Sequence, residues 1–285
     1  MVAQKDKQPL MLTAFQSLFT YGGQVFPKAL GNYAYKLWFK PHHFKMPAKE
    51  SEIAQQAKIF DLPFENLSIR TWLWKKTGPT VLFMHGWAGR GTQVAYFIEP
   101  LMKAGFQVVS FDGPAHGFST SKSTDIFEYA KVTQKVCDHF GPIQAVITHS
   151  FGAMVYAFAH QAKNELSRVI FIAAPATLAT PLNHYQAMLN LPDKVLQHMI
   201  YNLKRDYGED LHERLSTLHN VKKIQCPALI IHDEQDNVVP WQDGYDIAKA
   251  FSNAEFVKTQ TLGHRRILSE PDVINKVCQY LKDGF

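Results

Sequence analysis

The sequence predicts an α/β fold: a mostly parallel central sheet flanked by helices, with a small helical cap inserted late in the chain. Two observations carry this. From Ser68 onward, short apolar runs alternate with longer segments of helical period, the pattern of a parallel sheet covered on both faces. The interval between Pro175 and Pro227 then interrupts the alternation without a convincing strand. A chain of 285 residues, 46% of them hydrophobic, is long enough to bury such a core.

Residues 1–65 come first and read as an N-terminal helical arm packed on or near the body. Leu10, Ala14, Leu18 and Phe19 share one helix face before Gly22-Gly23, and Tyr33–Phe39 reads as a second short helix. The first 49 residues hold seven lysines and one acid, a charge of +6, which leaves −1 for the remainder of a chain whose total is +5. A near-neutral body argues against a nucleic-acid surface. The arm has two readings. Its aromatics dock on the body while its lysines face water, or residues 1–49 make a weak, salt-sensitive contact with an anionic membrane surface.

Residues 66–175 and 222–285 form the α/β core. Its strands are expected at Ser68–Trp74, Thr80–His85, Phe106–Asp112, Ala145–His149, Arg168–Ala174, Ala228–Asp233 and Glu255–Thr261. Helices are expected at 92–104, 124–140, 151–164, 242–251 and 271–282. Residues 176–221 form the helical cap, with Leu182, Leu189, Leu191, Val195, Met199 and Leu203 at loosely helical spacing and Pro181 and Pro192 as breakers. No run of 18 apolar residues offers a membrane span, and the N-terminus has no signal-peptide pattern. Cys137, Cys226 and Cys278 are too few and too scattered for a disulfide framework or a metal motif, so a cytoplasmic location is expected.

The chemistry gathers at strand ends. In Ala145-Val-Ile-Thr-His-Ser-Phe-Gly152 a buried-strand run stops, a serine follows at once, and Gly152 and Ala153 open a helix. Such a turn holds the serine hydroxyl exposed above the sheet edge and needs small residues two positions to either side. Gly152 satisfies this, while Thr148 is larger than the pattern wants. By itself the serine could simply cap a helix. An earlier strand, however, ends in His85-Gly86-Trp87, then Ala88-Gly89-Arg90-Gly91. Acyl transfer builds negative charge on a carbonyl oxygen, and backbone N–H groups held in advance stabilise it. Phe151, after the serine, and Trp87, in the earlier loop, are the expected donors. Further on, Ile230–Pro240 closes a strand with an acidic cluster, and Gly263-His264 follows the last strand. The order Ser150, Asp236, His264 suits a nucleophile, an acid and a base. Asp236 is the expected acid because it sits on the loop, with Asp233, still at the strand end, as its rival.

These pieces, with Asp112-Gly-Pro-Ala-His-Gly-Phe-Ser119, resemble the α/β-hydrolase superfamily over residues 66–285. In that family the Asp112–Ser119 turn is usually structural, so His116 is given no catalytic role. The resemblance implies a serine hydrolase acting on a small-molecule carboxylic ester, thioester or amide through an acyl-enzyme on Ser150. Serine at this position argues against the dehalogenases and epoxide hydrolases of the fold, which use aspartate. A non-hydrolytic small-molecule binding protein or lyase on the same fold is the alternative. No metal or organic cofactor is implied, and the oligomeric state is left open. The acyl pocket is expected around His85, Gly86, Leu182, Met188, Leu189 and Met199, with the cap overlying the nucleophile.

Overall fold

The computed structural model describes residues 10–74, 77–160 and 166–284. Among these residues eight strands occur: β1 Lys58–Phe64, β2 Leu67–Trp74, β3 Thr80–Met84, β4 Gln107–Phe111, β5 Ile143–His149, β6 Arg168–Ile172, β7 Ala228–Asp233 and β8 Ala254–Thr259. They form one sheet in the order β1-β2-β4-β3-β5-β6-β7-β8. From β4 across to β8 every pairing is parallel, while β1 and β2 are antiparallel additions at one edge. Every residue of β3 and of β7 is buried, as continuous apolar runs covered on both faces require. One apolar core lies on each side of the sheet.

Register brings the strand ends together. Met84 pairs with Thr148, His149 with Ile172, and Asp233 with Thr259. The loops after β3, β5, β7 and β8 therefore leave the same edge, the carboxyl ends of parallel strands where such sheets bind ligands.

The first strand departs from the expected plan. Residues 58–64 fall within the arm as delimited from the sequence, yet they pair along their whole length with β2. Phe60, Leu62 and Phe64 alternate as a strand should, but Asp61 and Pro63 break the apolar run. Proline is tolerated here because β1 is an edge strand. The helix expected over 151–164 is Phe151–Ala159; residues 161–164 lie outside the described residues, as do residues 1–9 of the arm.

Between β6 and β7 the chain is helical, with principal helices Ala179–Leu189 and Asp193–Tyr207. The arm docks on these helices. Its helix Pro27–Trp38 lies so close to Asp193–Tyr207 that a Cβ on Gly31 would sit 2.8 Å from the Cβ of His198. Phe19 and Ala34 are fully buried. Trp38 meets Tyr185 edge-on at 5.1 Å, the Tyr185 hydroxyl donates to the Ala34 carbonyl at 3.0 Å, and the Asn202 amide donates to Asn32 at 2.8 Å. Lys28, Lys36, Lys40 and Lys45 stay exposed.

The close approach at Gly31 gives a direct test of arm docking. Gly31→Val should lower unfolding stability by about 1–3 kcal/mol, the usual cost of forcing extra carbons into a packed contact. Denaturant titration reads this as an earlier midpoint, and a midpoint equal to or above that of the parent chain would contradict the packing described.

Candidate active site

Ser150 sits between β5 and the helix Phe151–Ala159 at φ 52°, ψ −124°, a backbone conformation that costs a non-glycine residue about 1–3 kcal/mol. Its N–H donates to the Ile172 carbonyl at 2.9 Å. A Cβ on Gly152 would lie 2.7 Å from the His85 carbonyl oxygen and 2.8 Å from that of Met84, so only glycine lets the helix start this close to β3. The Thr148 side chain turns away from the helix start, its hydroxyl 3.3 Å from the Ile170 carbonyl.

The Ser150 Oγ lies 2.9 Å from His264 Nε2, and His264 Nδ1 lies 2.7 Å from Asp236 Oδ2. The other Asp236 oxygen accepts the N–H groups of Val238 and Val239 at 2.8 and 2.9 Å. Burial pushes the Asp236 carboxyl up, but hydrogen bonds from His232, His264 and the Val239 N–H outweigh it and hold the group well below the usual carboxylate range. The fixed carboxylate thus faces a ring whose far nitrogen faces a serine hydroxyl, an arrangement suited to drawing a proton from that hydroxyl.

Asp233 makes no such contact with His264. Its carboxylate accepts the N–H groups of Gln235, Leu262 and Gly263 and the Thr259 hydroxyl, at 2.8–3.1 Å. Together these bonds outweigh the upward push of burial and lower its pKa. They tie the β7 loop to the turn Gly263–Arg266, which carries His264. Asp233 therefore positions the histidine through its backbone.

The loop after β3 approaches from the other side. The Gly89 N–H donates to the Gly86 carbonyl at 3.0 Å, closing a turn across Trp87 and Ala88. A Cβ on Gly86 would lie 2.9 Å from the Ser150 Cβ, so glycine is required here too. The Trp87 ring stands edge-on to Phe151 at 5.3 Å. Asp112 fastens this loop from below, accepting the Gly91 and Phe118 N–H groups at 2.7 Å each. Burial raises Asp112 to about 6 despite those bonds. His116 is buried, its ring nitrogen 2.8 Å from the Pro114 carbonyl, and burial lowers it to about 4.

A cavity of about 690 Å³ opens above Ser150 and His264. Of the residues expected in the pocket, Gly86 and Met188 line it, as do the expected amide donors Trp87 and Phe151, but the other expected pocket residues do not. His85 is buried beneath the loop, where its Nε2 accepts the Gly113 N–H at 2.9 Å. Leu182, Leu189 and Met199 are buried in the apolar core that the cap shares with the arm. Their helical spacing marked a buried face correctly, but that face meets the arm instead of the cavity. The residues missed are those of the arm itself. Trp38, Phe39, Phe44 and Pro47 form one wall, with Phe127, Leu203, Leu211 and Leu215 nearby. Aromatic density in residues 1–49 was the available signal, yet sequence spacing does not say which side of the cap the arm would reach.

His149 was also missed. Its Nε2 lies 2.8 Å from the His264 carbonyl, and the two rings are 4.8 Å apart. Burial, reinforced by the neighbouring His264, lowers it to about 3, so it is a neutral donor that steadies the backbone of His264. Among the described residues, no cluster of three or more His, Cys, Asp or Glu side chains could hold a metal ion.

A family profile described as the alpha/beta hydrolase fold matches residues 79–220, and one described as TAP-like protein matches residues 210–285. Lysophosphatidylserine lipase ABHD12 of Danio rerio is 27% identical over 240 residues, covering 72% of this chain and 58% of that protein. The chain thus spans less than two-thirds of that relative. The bifunctional esterase/perhydrolase DCH of Acinetobacter calcoaceticus is 23% identical over 257 residues, covering 70% of this chain and 90% of that protein. The solved structure of the esterase Pf2001 of Pyrococcus furiosus superposes with a TM-score of 0.64 at 19% identity, covering 86% of this chain and 96% of that one. With both profiles and the eight-stranded sheet in agreement, the chain belongs to the α/β-hydrolase superfamily.

Proposed function

We propose that this protein is a serine hydrolase that cleaves a carboxylic ester through an acyl-enzyme on Ser150. The observation that carries the reading is the unbroken contact chain Ser150–His264–Asp236, at 2.9 and 2.7 Å, on the floor of a largely apolar cavity. The relatives named as a lipase and an esterase lend it support.

In the reaction, His264 Nε2 takes the Ser150 proton as Oγ bonds to the acyl carbon. The Trp87 and Phe151 N–H groups receive the resulting oxyanion; Phe151 is the first residue of its helix, where the N–H has no partner within the helix. Collapse breaks the bond to the alkoxy oxygen, which leaves with the proton from His264. Water then adds its oxygen to the acyl carbon as His264 takes its proton, and collapse breaks the bond to Ser150 Oγ, which regains a proton from His264 as the acid leaves. Asp236 keeps Nδ1 protonated and Nε2 free to accept. Thioesters and amides could follow the same steps. Free Cys137, Cys226 and Cys278 fit a reducing, cytoplasmic setting for this chemistry.

We propose further that the arm makes a weak contact with an anionic membrane surface. Tyr21, Val25 and Phe26 are 76%, 68% and 64% exposed on the arm, beside Lys28. Their opposite neighbour Phe19 is buried. An apolar outward face beside lysines suits weak binding to an anionic bilayer. No helix among the described residues is long and apolar enough to cross a membrane.

Two outcomes check these readings. Ser150→Ala should lower kcat by about 10⁴–10⁶ on a p-nitrophenyl ester while the fold persists, and Asp236→Asn should cost about 10⁴. An undiminished rate in the serine variant contradicts the mechanism. For the surface, the full chain should sediment with phosphatidylserine vesicles at low salt and much less at high salt. Replacing Tyr21, Val25 and Phe26 together with serine should abolish sedimentation, and binding that survives this change contradicts the arm's role.

A further inference from the structure

Resting on the hydrolase reading above, we infer that the ester taken by this site carries an anion on its leaving-group side, a phosphate or a carboxylate. The cavity is lined by five cationic side chains, Lys40, Lys45, Arg90, Arg265 and Arg266, against two carboxylates, Glu50 and Asp125. Both carboxylates are already engaged. Glu50 lies 3.6 Å from Arg90 and accepts the Thr92 hydroxyl at 2.7 Å. Asp125 caps the helix Ile126–Phe140 through the Glu128 N–H at 2.8 Å and accepts the Tyr207 hydroxyl at 2.9 Å. Arg90 is consumed by Glu50 and by the Phe44 carbonyl at 2.7 Å.

That leaves Lys40, Lys45, Arg265 and Arg266 around one cavity with no carboxylate in ion-pair contact among the described residues. Arg266 donates to the carbonyls of Thr261 and Leu262 at 2.7 and 3.0 Å, which orients the guanidinium but leaves its charge uncompensated.

Of these cations, Arg265 and Lys45 lie on the side where a leaving group must be. His264 delivers the proton to the departing oxygen, so the leaving group lies beside His264, and Arg265 is the next residue. The Arg265 guanidinium lies 5.3 Å from the centre of the Phe44 ring, which brings Lys45, the next residue of the arm, to the same side. Buried aliphatic lining comes from other elements: Leu203, Leu211 and Leu215 of the cap, and Met154 in the helix after Ser150. One cavity thus offers an apolar wall for an acyl chain and four unpaired positive charges for what the acyl chain is attached to. Like charges around the mouth of a concave site draw in anions, raising association by about 10–10³-fold. The effect weakens as the screening length contracts, from about 10 Å at 0.1 M salt to about 3 Å at 1 M.

Two matched pairs of octanoyl esters test this. One pair is 4-nitro-3-(octanoyloxy)benzoate against 2-nitrophenyl octanoate, which differ by a carboxylate. The other is octanoyl glycerol 3-phosphate against monooctanoylglycerol, which differ by a phosphate. With each rate divided by the ester's own alkaline hydrolysis rate, at least one anionic member should show kcat/KM about tenfold or more above its neutral partner at low salt. The larger of the two ratios assigns the anion. The ratio should fall several-fold in Lys40→Gln/Lys45→Gln and again at high salt. A ratio at or below one in both pairs, or one that the double substitution leaves unchanged, overturns the inference while leaving the hydrolase reading in place. If none of the four esters is turned over, the hydrolase reading fails and takes this inference with it.

Discussion

The structure depends most on the backbone of Ser150, held at φ 52° where β5 gives way to a helix. A serine does not adopt this conformation for its own sake, so neighbouring contacts must over-determine it. They do so from three sides. Gly152 lets the helix press against the carbonyls of Met84 and His85, and Gly86 lets the loop after β3 pass the Ser150 Cβ. The Ile172 carbonyl fixes the serine N–H from β6. Each contact needs β3, β5 and β6 in register, and that register is held by strands whose central residues are apolar and buried. The core thus supplies the positional precision that the strained residue requires.

A second theme is the use of buried, neutral histidines as hydrogen-bonding struts. Burial drives the pKa of His85, His116 and His149 down, so each ring keeps one N–H donor and one acceptor nitrogen. His85 spans the loops after β3 and β4, meeting the Gly86 carbonyl and the Gly113 N–H. His149 meets the carbonyl of His264. The His85 and His149 rings join loops that come from different strands, a task for which a short aliphatic side chain has no polar atoms. Asp233 does the equivalent work with a carboxylate, gathering the Gln235 N–H of its own loop, the Thr259 hydroxyl of β8, and the Leu262 and Gly263 N–H groups just before His264.

Most of this architecture is legible in the sequence because its signals are local. Continuous apolar runs mark β3, β5 and β7, and the loops carrying Ser150, Asp236 and His264 follow those strands or the last one at once. The choice between Asp236 and Asp233 as the partner of His264 also follows from local position, since a strand-end carboxylate finds backbone donors within its own loops. The failures are tertiary. β1 is disguised by Asp61 and Pro63, which only an edge strand tolerates. Leu182, Leu189 and Met199 show the helical period of a buried face but not what buries it. The arm supplies that cover and also reaches the cavity through Trp38, Phe39 and Phe44, a docking that no local pattern encodes. His149 contacts a residue 115 positions away, with only its place beside the serine to mark it.

Covalent labelling tests the central claim most directly, because it reads the nucleophile without assuming a substrate. The chain should react with a fluorophosphonate probe to give a single adduct, and peptide mapping by mass spectrometry should place it on Ser150. Labelling should slow by orders of magnitude in His264→Ala, which removes the group positioned to take the serine proton. An adduct on a different serine, or a labelling rate unchanged in His264→Ala, would contradict the account.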